Sequence, residues 1–94
     1  MDWYTTTEID PVTKDETKIR IGVTSEALRW LSDSVPNPSE TLKRCIWRFI
    51  WLKGQSGEIS RPMCEFTIFE EDILNLVADL RKIDAAEQVR DSGP

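Results

Sequence analysis

Near the start of the chain, residues 18–23 alternate between polar or bare and apolar positions with the period of two that predicts a β-strand. Residues 3–9 are rich in threonine and aromatic side chains, which favour strands. Residues 10–15 contain a proline and two aspartates and predict a turn, so a second strand would complete a β-hairpin. That strand has one apolar face and one basic or bare face, the apolar residues being Ile19, Ile21 and Val23.

The next stretch has the 3.6-residue apolar spacing of two helices. The first is predicted to begin at Thr24 or Ser25 and to stop before Pro36. The second is predicted to begin at the Asn-Pro pair 37–38, a favourable helix start, and to end at Gly54. Its apolar stripe comprises Leu42, Cys45, Ile46, Phe49 and Ile50. The aromatic and β-branched composition of residues 46–52 leaves a strand as the alternative there, although the cap and the spacing favour a helix.

The C-terminal part predicts a short strand followed by a third helix. Residues 63–66 form the candidate strand, and the pattern Thr67-x-x-Glu70 predicts a capping box that opens the helix. Its apolar stripe comprises Ile73, Leu76, Val77, Leu80 and Ile83. Residues 84–94 are polar and predict a disordered tail, with a fraying helix end as the alternative. We therefore expect one α+β domain over residues 1–83. Its elements would follow in the order β-hairpin, two helices, short strand and C-terminal helix, and the helices would pack on a small antiparallel sheet.

Composition limits the classes of protein that the chain can belong to. Its 94 residues suffice for one small domain, and 39% hydrophobic with 31% charged residues is a globular balance. No run of apolar residues approaches the roughly 20 needed to span a bilayer. The first ten residues lack the pattern of a secretory signal, so we expect a cytoplasmic protein without membrane partners. The net charge of −5 disfavours nucleic acid as a partner.

Few residues could carry chemistry. The chain has no histidine and two cysteines far apart, Cys45 and Cys64, which cannot build a usual structural zinc site. No nucleotide-binding or hydrolase motif is present. Glu70, Glu71 and Asp72 form an acidic patch, but neighbouring helix residues do not converge on one ion, and negative charge is favoured in a first turn. We therefore expect no enzyme activity, no catalytic residue, no metal, no cofactor and no small-molecule substrate.

The tryptophans and arginines of the two central helices form the candidate partner-binding patch. On a helical wheel, Trp47 and Trp51 point away from the apolar stripe, and Trp30 lies off the apolar face of the preceding helix. Arg44 and Arg48 lie beside the tryptophan pair. Tryptophan and arginine are the residues most enriched at interface hot spots. The alternative is that the hairpin or the third helix covers these tryptophans.

Residues 17–52 also resemble a known family. The segments TKIRIGVTSEALRWL and NPSETLKRCIWRFIWL are similar to the strand and two helices of ribbon-helix-helix repressors and antitoxins. In that family two chains pair their strands, and outward side chains enter the major groove of DNA. The resemblance implies that Lys18 and Arg20 would contact DNA in an obligate dimer.

The function expected first is that of a non-enzymatic regulator or inhibitor that contacts another protein. Small acidic inhibitors of host nucleic-acid-processing complexes made by phages, such as anti-CRISPR proteins, are an analogy at the level of class only. In such a protein the acidic patch could compete for a basic groove. The alternatives are the dimeric DNA-binding protein and a structural module that binds its own copy as a homodimer.

Overall fold

A computed structural model describes residues 1–91, with side-chain surroundings up to residue 87. Three strands and three helices follow one another along the chain. They are β1 (Asp2–Ile9), β2 (Glu16–Val23), α1 (Ser25–Ser34), α2 (Pro38–Gln55), β3 (Met63–Ile68) and α3 (Glu70–Asp91). The predicted α+β class and the predicted order of elements are confirmed, and residues 46–52 lie within α2.

The sheet has the strand order β1-β2-β3 and is mixed, whereas the sequence pattern predicts an antiparallel sheet. β1 and β2 form the predicted antiparallel hairpin. β3 pairs parallel to β2, with Ile19 opposite Cys64 and Val23 opposite Ile68. The reason is the connection, because α1 and α2 carry the chain back to the start of β2, as parallel pairing requires.

The core lies between one face of the sheet and the three helices. The central strand contributes Ile19, Ile21 and Val23, which are at most 1% exposed. The helices contribute their predicted stripes, including Leu31 and Ile73. Successive side chains of a strand point to opposite faces of the sheet. The face away from the helices therefore carries every second residue of β1, β2 and β3.

Local hydrogen bonds explain several element boundaries. The Thr24 hydroxyl accepts the Ala27 amide and caps α1 as predicted. Asn37 occupies the N-cap of α2 without a side-chain capping bond, and α2 ends at Gln55 rather than at Gly54. The predicted capping box at Thr67 is wrong, because Thr67 belongs to β3 and α3 begins at Glu70.

The C-terminal segment, predicted as a disordered tail or a fraying helix end, is helical as far as the structure describes it. α3 passes the predicted boundary at residue 83 and continues to Asp91. The Asp84 carboxylate accepts two hydrogen bonds from Arg44, at 2.6 and 3.0 Å, which fixes the first residue of that segment to α2. Residues 92–94 lie outside the described part of the chain, so the division into a domain and a disordered tail stays a prediction.

Candidate partner-binding surface

One side of α2 is closed by α3. Arg44 forms its two-bond ion pair with Asp84, and Arg48 Nε lies 3.2 Å from Asp79 Oδ2. The hydrogen bonds from Arg44 hold the pKa of the Asp84 carboxyl below its usual value. Both predicted arginines therefore have carboxylate partners on α3.

The opposite side of α2 is open and faces β1. A groove of about 540 Å³ runs between α2 and the hairpin end of the sheet, and a smaller cavity of about 140 Å³ lies further along β1. Trp47 and Ile50 line both. The small cavity is lined from the sheet by Tyr4, Thr5, Thr6, Ile19 and Ile21. We call this open region the β1–α2 surface.

Trp47 and Trp51 border the β1–α2 surface and are largely exposed. Their exposed fractions are 63% and 53%. The Arg48 guanidinium lies 4.7 Å from the centre of the Trp51 ring, a cation–π distance. Because Arg48 is also paired with Asp79, it connects Trp51 to the closed side of α2 and holds the ring against the helix.

The charges of the groove are concentrated at its hairpin end. Glu8, Asp10 and Asp15 line it there, and Arg61 Nη1 lies 2.6 Å from Asp15. Asp10 accepts the backbone amides of Val12 and Thr13, and these hydrogen bonds lower its pKa. The middle of the surface is apolar and aromatic, so its polar contacts lie at the margin, as in a typical protein interface.

β1 is an edge strand whose outer edge borders this surface. The Asp10 amide donates a hydrogen bond to the Asp15 carbonyl at the hairpin end. In the β1–β2 register the next even-numbered residue, Glu8, lies opposite Thr17. Hydrogen-bonded pairs alternate along an antiparallel ladder. The even-numbered residues of β1 therefore bond to β2, and the backbone groups of its odd-numbered residues point outward. Those residues are Trp3, Thr5, Thr7 and Ile9.

Sequence reasoning misses the contribution of β1. The sequence pattern marks Trp3 and Ile9 only as strand residues, yet they are 44% and 57% exposed beside the outer edge. The Trp3 ring lies over Gly22, where a Cβ would come within 3.0 Å of it. The available signal is the composition of the strand. An edge strand is usually protected by proline, a bulge or charged side chains, especially lysine. β1 contains no proline or lysine, and its charged residues, Asp2 and Glu8, lie near its two ends.

Trp30 does not join the other predicted patch residues. It is half-buried against the core and lines a separate shallow depression with Glu26, Arg29 and Glu70. The helical wheel places it off the apolar face of α1, but α1 also packs against α3. The structure therefore brings Trp47 and Trp51 together with Arg48 nearby, and it separates Trp30 from them.

The predicted acidic patch occupies the first turn of α3. Asp72 accepts the Phe69 amide at 2.9 Å and so caps the helix. Glu70 and Glu71 are exposed. The capping bond accounts for Asp72 structurally, which is the electrostatic role expected at a helix N-terminus.

The residues that the family resemblance assigns to DNA lie on the sheet face opposite the helices. Arg20 is ion-paired with Glu65 at 3.1 Å and lies 4.6 Å from the Trp3 ring. β2, which carries Lys18 and Arg20, is the central strand and is paired on both edges within the chain. A ribbon-helix-helix dimer needs that strand free to pair with a second chain, so the geometry does not support the DNA-binding prediction.

Reactive side chains are few on this surface and elsewhere in the described chain. Burial raises the pKa of the Cys45 thiol to about 11, which makes it a poor nucleophile near neutral pH. Among the side chains that the structure describes, those of residues 1–87, no group of three or more cysteine, aspartate or glutamate residues is placed to hold a metal ion. Within the described part of the chain, no helix is long and apolar enough to cross a bilayer.

Comparisons with known proteins add no assignment to this geometry. No protein-family model matches the sequence, and neither a curated protein nor a solved structure matches the chain. The β1–α2 surface itself is therefore the feature of this chain that bears on its function.

Proposed function

We propose that this protein is a non-enzymatic binding protein that acts by contacting another polypeptide chain through its β1–α2 surface. The observation that carries the proposal is the pair of exposed tryptophans, Trp47 and Trp51, on the side of α2 that faces an unpaired strand edge. Exposed aromatic area beside a polar margin is typical of protein interfaces.

A polypeptide fits this surface better than a small molecule does. The large groove is open to solvent and lined by both polar and apolar atoms. Pockets for small ligands are concave and bury most of the ligand. The edge of β1 instead offers a row of backbone donors and acceptors, which another extended chain can satisfy through strand addition.

The proposal extends to a regulatory or inhibitory role, in which the domain bound through its β1–α2 surface covers the partner's own functional site. Glu70 and Glu71 are exposed on a different part of the molecule and could contact a basic partner in addition. Neutralising both would then weaken binding at low salt.

Photo-crosslinking tests the proposal because it captures a partner whose identity is unknown. A benzophenone amino acid would replace Trp51 in the cells that naturally produce the protein, and covalent adducts would be identified by mass spectrometry. The matched control carries the same group at Leu74, which is 43% exposed on α3. We expect one dominant protein adduct, to a foreign protein or to the same protein, from position 51 and a different, weaker pattern from position 74.

The proposal fails if position 51 gives no more adduct than position 74 while both variants remain folded. Circular dichroism of the purified variants checks the fold. An adduct that forms equally from every exposed position would also count against it, because it would show that contact is not confined to the β1–α2 surface.

A further inference from the structure

We infer that the chain that contacts the β1–α2 surface is a second copy of this protein, paired antiparallel along β1 to form a continuous six-stranded sheet. The inference rests on the proposed function, because it names the partner of the same surface. A two-fold symmetric contact requires a patch that is complementary to itself, and β1 meets that requirement in one register.

The register follows from the outward backbone groups of β1. In an antiparallel pair of β1 strands, the odd-numbered residues, whose backbone groups point outward, must lie opposite odd-numbered residues of the second copy. The residue numbers of each opposite pair therefore add up to one even number, which defines the register. In the register with a sum of 12, Trp3 lies opposite Ile9, Thr5 opposite Thr7, and Thr6 opposite its own copy. Over this seven-residue overlap Glu8 is the one charged side chain, and it lies opposite Tyr4. No like-charged pair lies inside the overlap, and the like-charged pair of this register, Asp2 with Asp10, falls just beyond its two ends.

Neighbouring registers are less favourable. A sum of 10 places Asp2 opposite Glu8 twice, and like charges directly opposite each other destabilise a sheet. A sum of 14 shortens the overlap to residues 5–9. The register centred on Thr6 is thus the one that combines the longest overlap with compatible charges.

Exposed apolar side chains lie on both faces next to this edge. Trp3 and Ile9 are exposed on the face away from the helices, and this register would bring them together across the two-fold axis. On the helix face, the half-buried Tyr4 and Thr6 lie below Trp47 in the small cavity. Exposure on both faces beside one edge is what an edge-to-edge contact between two sheets would bury.

The opposite edge of the sheet differs. β3 has six residues, and Arg61-Pro62 precedes it directly. Its outward face carries Glu65, already paired with Arg20. β1 is longer, is interrupted by no proline and has a threonine-rich centre. β1 is therefore the longer of the two free edges and the better candidate for self-pairing.

The first test is the solution mass of the intact protein, measured by size-exclusion chromatography with light scattering over a range of concentrations. We expect twice the chain mass at high concentration. Thr7→Pro should reduce it to one chain mass, because the Thr7 amide points outward and its loss breaks no bond to β2. Circular dichroism should show that this variant stays folded.

Disulfide trapping reads the register. In a Cys64→Ser background, Thr6→Cys should crosslink two chains, since opposite residues of a non-hydrogen-bonded pair have Cα atoms about 4.5 Å apart, within the disulfide range. Thr5→Cys is the matched control. In this register residue 5 of one chain lies diagonally across from residue 5 of the other, at roughly 7–8 Å, which is too far for efficient disulfide formation.

The outcomes separate the inference from the proposed function. A protein of one chain mass at every concentration, with no Thr6→Cys crosslink, overturns the second-copy inference. If the photo-crosslinker at position 51 then captures a foreign protein, the proposed function stands. If it captures nothing in excess of position 74, both fail. A dimer that persists in Thr7→Pro and crosslinks through Thr5→Cys would also overturn the pairing described.

Discussion

The two sides of α2 differ in whether their side chains have interaction partners within the chain. Toward α3, Arg44 and Arg48 are paired with carboxylates, and buried residues of both helices meet in the core. Toward β1, Trp47 and Trp51 are more than half exposed. The same helix thus serves as a core element on one side and as an unfinished surface on the other. A contact face can therefore coexist with a well-packed fold in a domain this small.

The largest expected effect comes from the packed side. Phe49 is 8% exposed, and its ring meets the Phe66 ring edge-on at 5.7 Å. Phe49→Ala should lower the free energy of unfolding by about 3–5 kcal/mol, because it leaves a cavity under α2. Urea denaturation followed by circular dichroism would measure the change. A loss below about 1 kcal/mol would contradict the packing described.

The open side should tolerate a comparable truncation. In the monomeric Thr7→Pro background, we expect Trp47→Ala to change the free energy of unfolding by no more than about 0.5 kcal/mol, as for most surface positions. In the otherwise native protein the same substitution should weaken association. If Trp47→Ala destabilised the monomer as strongly as Phe49→Ala, Trp47 would be a core residue and the comparison would be wrong.

Arg48 contacts both sides of α2, through Asp79 on α3 and through the Trp51 ring, so its replacement tests both contacts. Arg48→Ala removes the ion pair with Asp79, which at this exposure contributes less than about 1 kcal/mol. It also removes the cation over Trp51, so the ring should become more mobile and its fluorescence should change. Arg48→Lys, which keeps the charge without the planar guanidinium, is the control. Identical fluorescence in all three proteins would rule out the contact.

The smallest effect concerns the hairpin end of the groove. The Val12 and Thr13 amides bond to the Asp10 carboxylate and hold its pKa below the ordinary value of 3.8. The stabilisation of the turn is therefore fully present above that value and is lost as the pH falls through the lower, folded-state pKa. Nuclear magnetic resonance of the two amides should give a midpoint below 3.8. Asp10→Asn should abolish that transition, and a midpoint above 3.8 would refute the turn geometry.

Local sequence signals are sufficient to predict most elements. The Asn-Pro start and the apolar stripe predict α2, and the helical wheel predicts that Trp47 and Trp51 avoid the core. These predictions depend on neighbours within a few residues, where the helical period fixes geometry. The family resemblance is equally local, and it could not reveal that β2 has partners on both edges.

Long-range packing explains what the sequence could not provide. β3 pairs parallel to β2 because of the path that the chain takes between them. Val23 and Pro62 are 39 residues apart in sequence, and local sequence patterns do not act over that distance. Trp30 is half-buried because α3 lies beside α1. The partners of Arg44 and Arg48 are 40 and 31 residues away. The candidate surface could therefore be predicted in part, and its border along β1 becomes visible only in the fold.

Residue-resolved amide hydrogen exchange along β1 tests the pairing of this edge most directly. The amides of Tyr4, Thr6 and Glu8 point toward β2 and should be protected at every protein concentration. We predict that the outward amides of Thr5 and Thr7 are protected as strongly at high concentration and lose this protection on dilution. Rapid exchange of Thr5 and Thr7 at all concentrations, beside protected Tyr4 and Thr6, would show a bare edge and contradict the account.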